Sequence, residues 1–313
     1  MLELIVKRLL AAIPVMVIVA TVVFLLLRLA PGDPARVIAG DMASEETIAE
    51  IRADMGLDQN IATQYLRWMA ALAQGDLGHS VQSKQPVSSL IAARLGPTFS
   101  LAAWAILLTI TAAIPLGVLA AWRHRRLVDR GIMAGAVLAF SVPAFVVGYV
   151  LILVFSVRLD WLPVQGYSPI EDGIGEYASH LVLPTLTLAM VFVALITRIT
   201  RASLLDVLGE DFVRTARAKG VGERLVLFRH ALRNAAIPIV TIVGVALTTL
   251  ISGVVVTETI FNISGIGRLI VDSVLARDYP VVQGTILFFS FIYVFVNLLI
   301  DMAYVILDPR IRY

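Results

Sequence analysis

The sequence predicts an all-α membrane protein with six transmembrane helices and both termini in the cytoplasm. Three observations support this fold class: an apolar composition, six long apolar runs and an uneven distribution of basic residues. Of the 313 residues, 59% are hydrophobic and 15% are charged, and the mean hydropathy is +0.88. Because about a quarter of the residues in a soluble domain are charged, this composition excludes an ordinary soluble protein.

Each of the six apolar runs is long enough to cross a bilayer, which takes about 20 helical residues. The runs cover residues 9–29, 98–122, 132–157, 181–200, 235–256 and 281–307. The first run is predicted to be an uncleaved span, because a secretory signal has a shorter apolar region and a small-residue cleavage site. Pro115, Pro143 and Pro184 lie inside or at the start of three runs and predict kinks there.

This pattern divides the chain into three predicted parts. Residues 1–30 are a cytoplasmic tip and the first span, residues 31–97 an extracytoplasmic loop subdomain, and residues 98–313 a five-helix core with a cytoplasmic loop at 203–236. Within the outer subdomain, Ser44 is predicted to cap a short amphipathic helix that closes at Gly56, and a second helix is predicted to end at Gly75. Neither helix is long enough to span the membrane.

The distribution of basic residues predicts the orientation. With both termini inside, the cytoplasmic segments hold 16 lysines and arginines and the outer segments hold 8. Cytoplasmic loops of membrane proteins carry such an excess. The pI near 9.0 therefore reflects topology, and the expected surroundings of the chain are membrane lipid, with no nucleic acid as a partner.

The most distinctive stretch runs from residue 211 to residue 238, between two spans. It holds six basic residues: Arg214, Arg217, Lys219, Arg224, Arg229 and Arg233. At about 100° per residue, Phe212, Val213 and Ala216 share one side of a predicted helix that ends at Gly220. A second amphipathic piece follows, with Leu225, Phe228 and Leu232 at helical spacing. Such an element can lie on lipid headgroups or dock into a groove on a partner.

Motifs for independent chemistry are absent from the sequence. It has no cysteine, no phosphate-binding Gly-x-x-x-x-Gly-Lys-Ser/Thr loop and no Gly-x-Ser-x-Gly nucleophile elbow. The four histidines, His79, His124, His180 and His230, lack metal-ligand spacing. The sequence therefore predicts no enzyme activity and no cofactor or metal in this chain.

Ionisable residues are nearly missing from the predicted spans. Asp301 is the main one, and it is either a relay residue or a helix-end residue that reaches water. A proton- or ion-coupled carrier usually keeps carboxylates or histidines near the membrane centre. Their scarcity indicates that the energy for transport comes from another subunit.

Two features each have a functional and a purely structural interpretation. In the fifth span, Thr241, Thr248 and Ser252 fall on one face and either line a solute path or mediate helix packing. Residues 258–280 connect the last two spans on the outside, with a short helix predicted over 268–275. This connection either gates the outer mouth or receives an external partner, or it is a simple surface hairpin.

The cytoplasmic stretch resembles the coupling loop of ABC importer permeases, and in particular the first permease subunit of the dipeptide/oligopeptide branch with its glutathione and nickel relatives. The resemblance is carried by Arg214–Gly220 and His230–Pro238. It is supported by Pro31–Pro34, Gly56–Gln59, Gly75–Gly78, Trp161–Pro163, Arg268–Ser273, Arg277–Pro280 and Asp308–Tyr313. It extends over essentially the whole chain.

The resemblance implies a type I ABC importer permease fold and a multi-pass location in the bacterial cytoplasmic membrane. It implies four partners: a second homologous permease subunit in a heterodimer, two cytoplasmic ATPases that bind ATP and Mg, and an extracytoplasmic solute-binding protein. The substrate would be a short peptide or peptide-like solute. The implied ATPase-coupling residues are Phe212, Val213, Arg214, Thr215, Ala216, Arg217, Ala218, Lys219 and Gly220.

Three other classes of function remain to be weighed against a permease subunit. An ion-coupled carrier or channel would move solute without ATPases, and ion-driven flux through the single reconstituted chain would identify it. An intramembrane enzyme would need the nucleophile or metal constellation that the sequence lacks. A membrane scaffold would leave the coupling-loop pattern unexplained.

Overall fold

The computed structural model describes residues 2–29, 34–39, 43–54 and 56–307. These residues are mainly helical and contain no strand beyond one bridge between His79 and Pro86. The helices are α1 (Leu2–Leu29), α2 (Pro34–Ala39), α3 (Glu45–Asp54), α4 (Ile61–Ala73), α5 (Val87–Ala92), α6 (Leu95–Trp122), α7 (Leu127–Ser141), α8 (Ala144–Leu151), α9 (Ile174–Leu208), α10 (Asp211–Ala218), α11 (Glu223–Leu225), α12 (Leu232–Asn234), α13 (Ala236–Ile260), α14 (Ile266–Leu275) and α15 (Tyr279–Leu307). Ile152–Arg158 and Val226–Ala231 form π-helical turns, and Ile170–Asp172 a 3₁₀ turn.

Five helical segments are long and apolar enough to cross a membrane. They are Val6–Leu25 within α1, Val87–Trp122, Ile174–Leu208, Ala236–Ile260 and Tyr279–Ala303. The sixth predicted span is two pieces, Leu127–Ser141 and Ala144–Arg158, with a bend of 100° between them. Pro143 directly precedes the second piece, as expected for a residue that cannot continue a helical ladder. The all-α membrane fold is confirmed, and the kink predicted at Pro143 is a full break.

The chain forms two compact units. The first comprises the described residues of Met1–Gly96 and Ser264–Val294, and the second those of Pro97–Ile263 and Phe295–Tyr313. In the first unit, the Ser44 side chain accepts a hydrogen bond from the Thr47 amide at 3.2 Å and caps α3, as predicted. The predicted second helix is α4, and its Tyr65 and Trp68 rings pack on Phe24 of α1.

The segment 264–280 is packed against the earlier helix α5 within the first unit. Ile266 and Leu269 of α14 are buried with Val87, Ile91 and Val281. The buried Asp278 carboxylate accepts hydrogen bonds from the Ser80 hydroxyl and, at 3.1 Å, from the Val81 amide. The segment is therefore not a free surface hairpin but part of a packed subdomain.

The core of the second unit lies where α6, α9 and α13 meet. It is built from buried leucine, isoleucine and phenylalanine side chains, including Leu101, Leu188, Ile196 and Leu250. Helix α6 approaches α9 closely at Gly117, where a Cβ atom would lie 2.6 Å from Thr200 Cβ. The absence of a side chain at residue 117 allows this close packing of two spans.

Candidate functional site: the element between α9 and α13

Helix α10 begins and ends where the sequence predicts. Asp211 lies in its first turn, where a negative charge is favourable beside the helix N-terminus. At its end, the Gly220 amide donates to the Arg217 carbonyl at 2.9 Å and the Val221 amide to the Ala216 carbonyl at 3.1 Å. This pair of bonds is a Schellman motif, and it requires the positive φ of +80° that Gly220 adopts.

One side of α10 is fixed to the rest of the chain. Val213 and Ala216 are buried against Val226, with Val221 and Leu208 packed around them. Phe212 was predicted to share this side, but its side chain is 43% exposed and faces away. The buried direction lies towards Val213, about 100° around the helix from Phe212, so the aromatic ring stays on the open side.

The second amphipathic piece also buries a different side from the predicted one. Its buried side chains are Val226, Leu227 and Ala231, while Leu225 and Phe228 are exposed. The π-helical turn over Val226–Ala231 is wider than an α-turn. Leu227 and Ala231 are four residues apart and share one side of a helix, but Leu225, Phe228 and Leu232 also share a side, so the 3.6-residue period alone did not show which side is buried.

The element is attached to the ends of three spans. Leu227, Ala231 and Ala235 are buried in one cluster with Val118 and Ala121 of α6, Leu204 of α9 and Ile239 of α13. A displacement of this element is therefore transmitted to all three helices through closely packed side chains.

One salt bridge connects two pieces of the element, and a second lies within α10. Arg217 donates to both carboxylate oxygens of Glu223, at 2.8 Å from Nε and 3.2 Å from Nη2, and so joins α10 to α11. Arg214 pairs with Asp211 at 3.3 Å on the exposed surface. Lys219, Arg224, Arg229 and Arg233 make no ion pair within the described part of the chain, and they give the open surface a positive charge.

A buried ion pair near this element was missed by the sequence analysis. The Asp129 carboxylate of α7 is buried and accepts two hydrogen bonds from Arg201 of α9, at 2.6 Å from Nε and 2.8 Å from Nη2. The Arg125 amide donates to the same carboxylate at 2.9 Å. These bonds fasten the start of α7 to α9. The available signal was a lone aspartate among four arginines in residues 123–130, which was counted only for topology.

A second buried carboxyl group lies at the other end of the core. Helix α13 continues to Ile260, so Glu258 is helical and fully buried rather than the start of an outer loop. The Thr98 hydroxyl of α6 donates to it at 2.6 Å. The prediction that Asp301 is the main ionisable residue of the spans is therefore wrong. Leu250, Val254 and Glu258 recur every four residues, which was the missed signal.

The predicted polar strip of α13, formed by Thr241, Thr248 and Ser252, lies on a surface that no other part of the described chain fully covers. Thr241 and Ser252 are exposed and Thr248 is half-buried. The Thr241 hydroxyl donates to the Ile237 carbonyl at 2.8 Å, and the Thr248 hydroxyl to the Val245 carbonyl at 2.9 Å. The strip is a continuous face, and its role stays a prediction.

The residues that the structure describes contain no cluster of three or more histidine, aspartate or glutamate side chains arranged for a metal ion.

Comparison with known proteins identifies the family of the whole chain. Residues 113–313 match the family described as binding-protein-dependent transport system inner membrane component, and residues 1–102 match the N-terminal domain of the same class of membrane components. The chain is 48% identical to a protein of Sinorhizobium fredii named a probable peptide ABC transporter permease, over 99% of each chain. It is 44% identical to the glutathione transport system permease protein of Salmonella paratyphi A, over 100% of each chain. The chain therefore belongs to the inner membrane components of binding-protein-dependent transport systems.

Proposed function

We propose that this chain is the subunit through which a short peptide or a peptide-like solute such as glutathione enters the cell. The names of relatives that match it from end to end support this substrate class. The uptake of labelled dipeptide by the assembled transporter tests it. Competition by unlabelled di- and tripeptides or by glutathione is expected, and inhibition by none of them would contradict the class.

The coupling role of α10 rests on one observation, the contrast between its two sides. Val213 and Ala216 are buried in this chain, whereas Phe212 is exposed on a short helix that also carries Arg214 and Arg217. An exposed aromatic side chain on a rigid support is typical of the anchor residues of protein interfaces. We assign this surface to a cytoplasmic ATPase subunit, with residues 212–220 as the contact segment.

The attachment of the element to α6, α9 and α13 supplies the mechanical part of the proposal. When two ATPase subunits close on ATP, α10 moves as a rigid body with the cluster around Leu227 and Ala231. The spans then change from an inward-facing to an outward-facing arrangement. ATP and Mg bind the ATPases in this scheme, and this chain carries no cofactor.

A second homologous permease subunit completes the pathway in this proposal. The exposed α13 face with Thr241, Thr248 and Ser252 supports it, because hydroxyl groups beside a neighbouring helix or a solute are favourable within a bilayer. The two subunits form a heterodimer, with the solute path at the interface.

The substitution Phe212→Asp tests the coupling role. The change places a charge in the contact while leaving the buried side of α10 intact, so the chain is expected to insert and fold normally. Loss of an aromatic anchor costs about 2 kcal/mol or more, which corresponds to a roughly 30-fold weaker association with the ATPase. Co-purification and uptake in membrane vesicles measure the effect.

The matched control is Phe212→Leu, which keeps an apolar side chain at the same position. It is expected to retain most of the association and of the uptake. If Phe212→Asp binds the ATPases and imports solute at wild-type rates, residue 212 is not a coupling contact and the proposal fails.

A further inference from the structure

The segment that follows α10 presents a second exposed surface with a different composition. Leu225 and Phe228 are 49% and 59% exposed. Arg224 and Arg229 border this apolar pair, and Arg233 follows one turn later. We call these five residues the basic apolar patch. None of its three arginines forms an ion pair within the described residues.

The depth of the patch follows from what its segment packs on. Leu227 and Ala231, on the buried side of the same turn, lie in one cluster with Val118 and Ala121 at the end of α6. The next residue of α6, Trp122, is partly exposed, and the Arg123 guanidinium lies 5.4 Å from its ring centroid. A tryptophan beside an arginine at the end of a span is typical of the membrane–water interface. The patch is therefore at headgroup depth.

Neighbouring residues of the second unit agree with this depth. Leu127, directly after Arg125 and Arg126, is 83% exposed at the start of α7. The candidate span Ala236–Ile260 begins three residues after Arg233, which is about 4–5 Å along a helix. A polar headgroup layer is only roughly 5–8 Å thick on each side of the hydrocarbon core.

We propose that the basic apolar patch binds the surface of an anionic phospholipid bilayer. Leu225 and Phe228 enter the boundary between headgroups and acyl chains, while Arg224, Arg229 and Arg233 bind lipid phosphates. Leucine and phenylalanine on one face with flanking arginines are the composition of interfacial helices, and arginine forms bidentate hydrogen bonds with phosphate. The lipid thereby holds the base of the coupling element at a fixed depth. This proposal does not depend on which solute is carried.

The natural absence of cysteine allows a direct test. The Phe228→Cys chain is labelled with bimane, assembled with cysteine-free partner subunits, and placed in nanodiscs of phosphatidylcholine and phosphatidylglycerol containing a nitroxide lipid. Loss of bimane fluorescence is expected at residue 228, with or without the ATPases. Leu225→Cys is a second variant with the same expected loss, and Phe212→Cys is the control, with little loss.

The same experiment distinguishes lipid from the two alternatives for this patch, an ATPase subunit and bulk water. Fluorescence at residues 225 and 228 that the nitroxide lipid leaves unchanged would overturn the proposal. The patch would then be an ATPase contact if it is shielded only when ATPases are bound, or a solvated surface if aqueous iodide quenches it. Binding of the ATPases is measured separately by co-purification. A failure of the coupling role of Phe212 can therefore be distinguished from a failure of the lipid proposal.

The charged part of the patch has its own test. Replacement of part of the phosphatidylcholine by phosphatidylglycerol is expected to deepen quenching at residue 228. In a chain that also carries Arg224→Gln, Arg229→Gln and Arg233→Gln, this response is expected to disappear. An equal response in both chains would overturn the assignment of lipid phosphate to these arginines.

Discussion

The hydroxyl group of Thr98 donates a hydrogen bond to the fully buried carboxyl group of Glu258. It donates to Glu258 at 2.6 Å and joins α6 to α13. The substitution Thr98→Val keeps the shape of the side chain and removes this donor. Because a buried polar group that loses a partner costs about 1–3 kcal/mol, we expect a corresponding loss of stability. Thermal and denaturant unfolding of the purified transporter measure it.

Thr111→Val is the matched control for this prediction. Thr111 lies on the same helix, is exposed, and donates only to carbonyls of its own helix, that of Leu107 at 2.6 Å and that of Leu108 at 3.3 Å. Its replacement is expected to change stability by less than about 0.5 kcal/mol. Equal effects of the two substitutions would mean that the Thr98–Glu258 bond contributes nothing specific.

At the scale of residues, the sequence predicted local chemistry better than burial. Ser44 and Gly220 were identified because a cap and a helix end depend on a few neighbouring residues. Glu258 was missed because a charged residue near the end of an apolar run was taken to end the span. Its partner Thr98 lies 160 residues away, and no local pattern connects them.

The end of α10 gives a prediction for a whole element. Gly220 adopts a φ of +80°, which costs a residue with a Cβ atom about 1–2 kcal/mol. Gly220→Ala is therefore expected to loosen the last turn of α10 and to speed amide exchange there about fivefold or more, since 1 kcal/mol corresponds to about that factor. Hydrogen exchange of a peptide covering residues 211–221 measures the change.

Gly222→Ala is the control within the same loop. Gly222 has a φ of −63°, and a Cβ atom there meets nothing within 4 Å. This substitution is expected to leave exchange in α10 unchanged. If both alanine variants speed exchange equally, the left-handed conformation of Gly220 does not hold the helix end.

Helix boundaries were predictable from glycines and caps, but the sides of the helices were predicted less well. The bounds of α10 and α4 agree with the sequence because each ends at a glycine with positive φ. The exposed positions of Phe212 and Phe228 do not agree. A run of apolar residues contains more than one possible inner face, and packing selects the one that is buried. Helix α10 packs against Val226, and the segment with Phe228 packs against Leu204 and Val118.

At the scale of the whole molecule, this chain works in the inner membrane together with an ATPase and a solute-binding protein, as its family requires. The orientation of the loops is the remaining prediction at this scale. Single cysteines at Lys84 and Lys219 report it in spheroplasts treated with an impermeant maleimide. Because basic loops stay inside, we expect labelling at residue 84 and none at residue 219 until the membrane is opened.

The unmodified chain, which lacks cysteine, is the control for labelling of other components. Labelling of residue 219 in intact spheroplasts would place the coupling element outside the cell and would refute the proposed function. Five of the six spans were predictable because each needs a run of about 20 apolar residues. The bend of 100° between α7 and α8 was not, because a proline indicates a break but not its angle.

The length of α9 has a mechanical consequence. Its 35 residues measure about 52 Å at 1.5 Å per residue. A hydrocarbon core about 30 Å thick leaves roughly 20 Å of overhang if the helix stands upright. With residues 181–200 in the core, this overhang is divided about equally between the two ends of α9. A tilt of about 10° then moves each tip sideways by roughly 2 Å. The helix thus acts as a lever whose stroke is set by the number of residues that extend beyond the membrane.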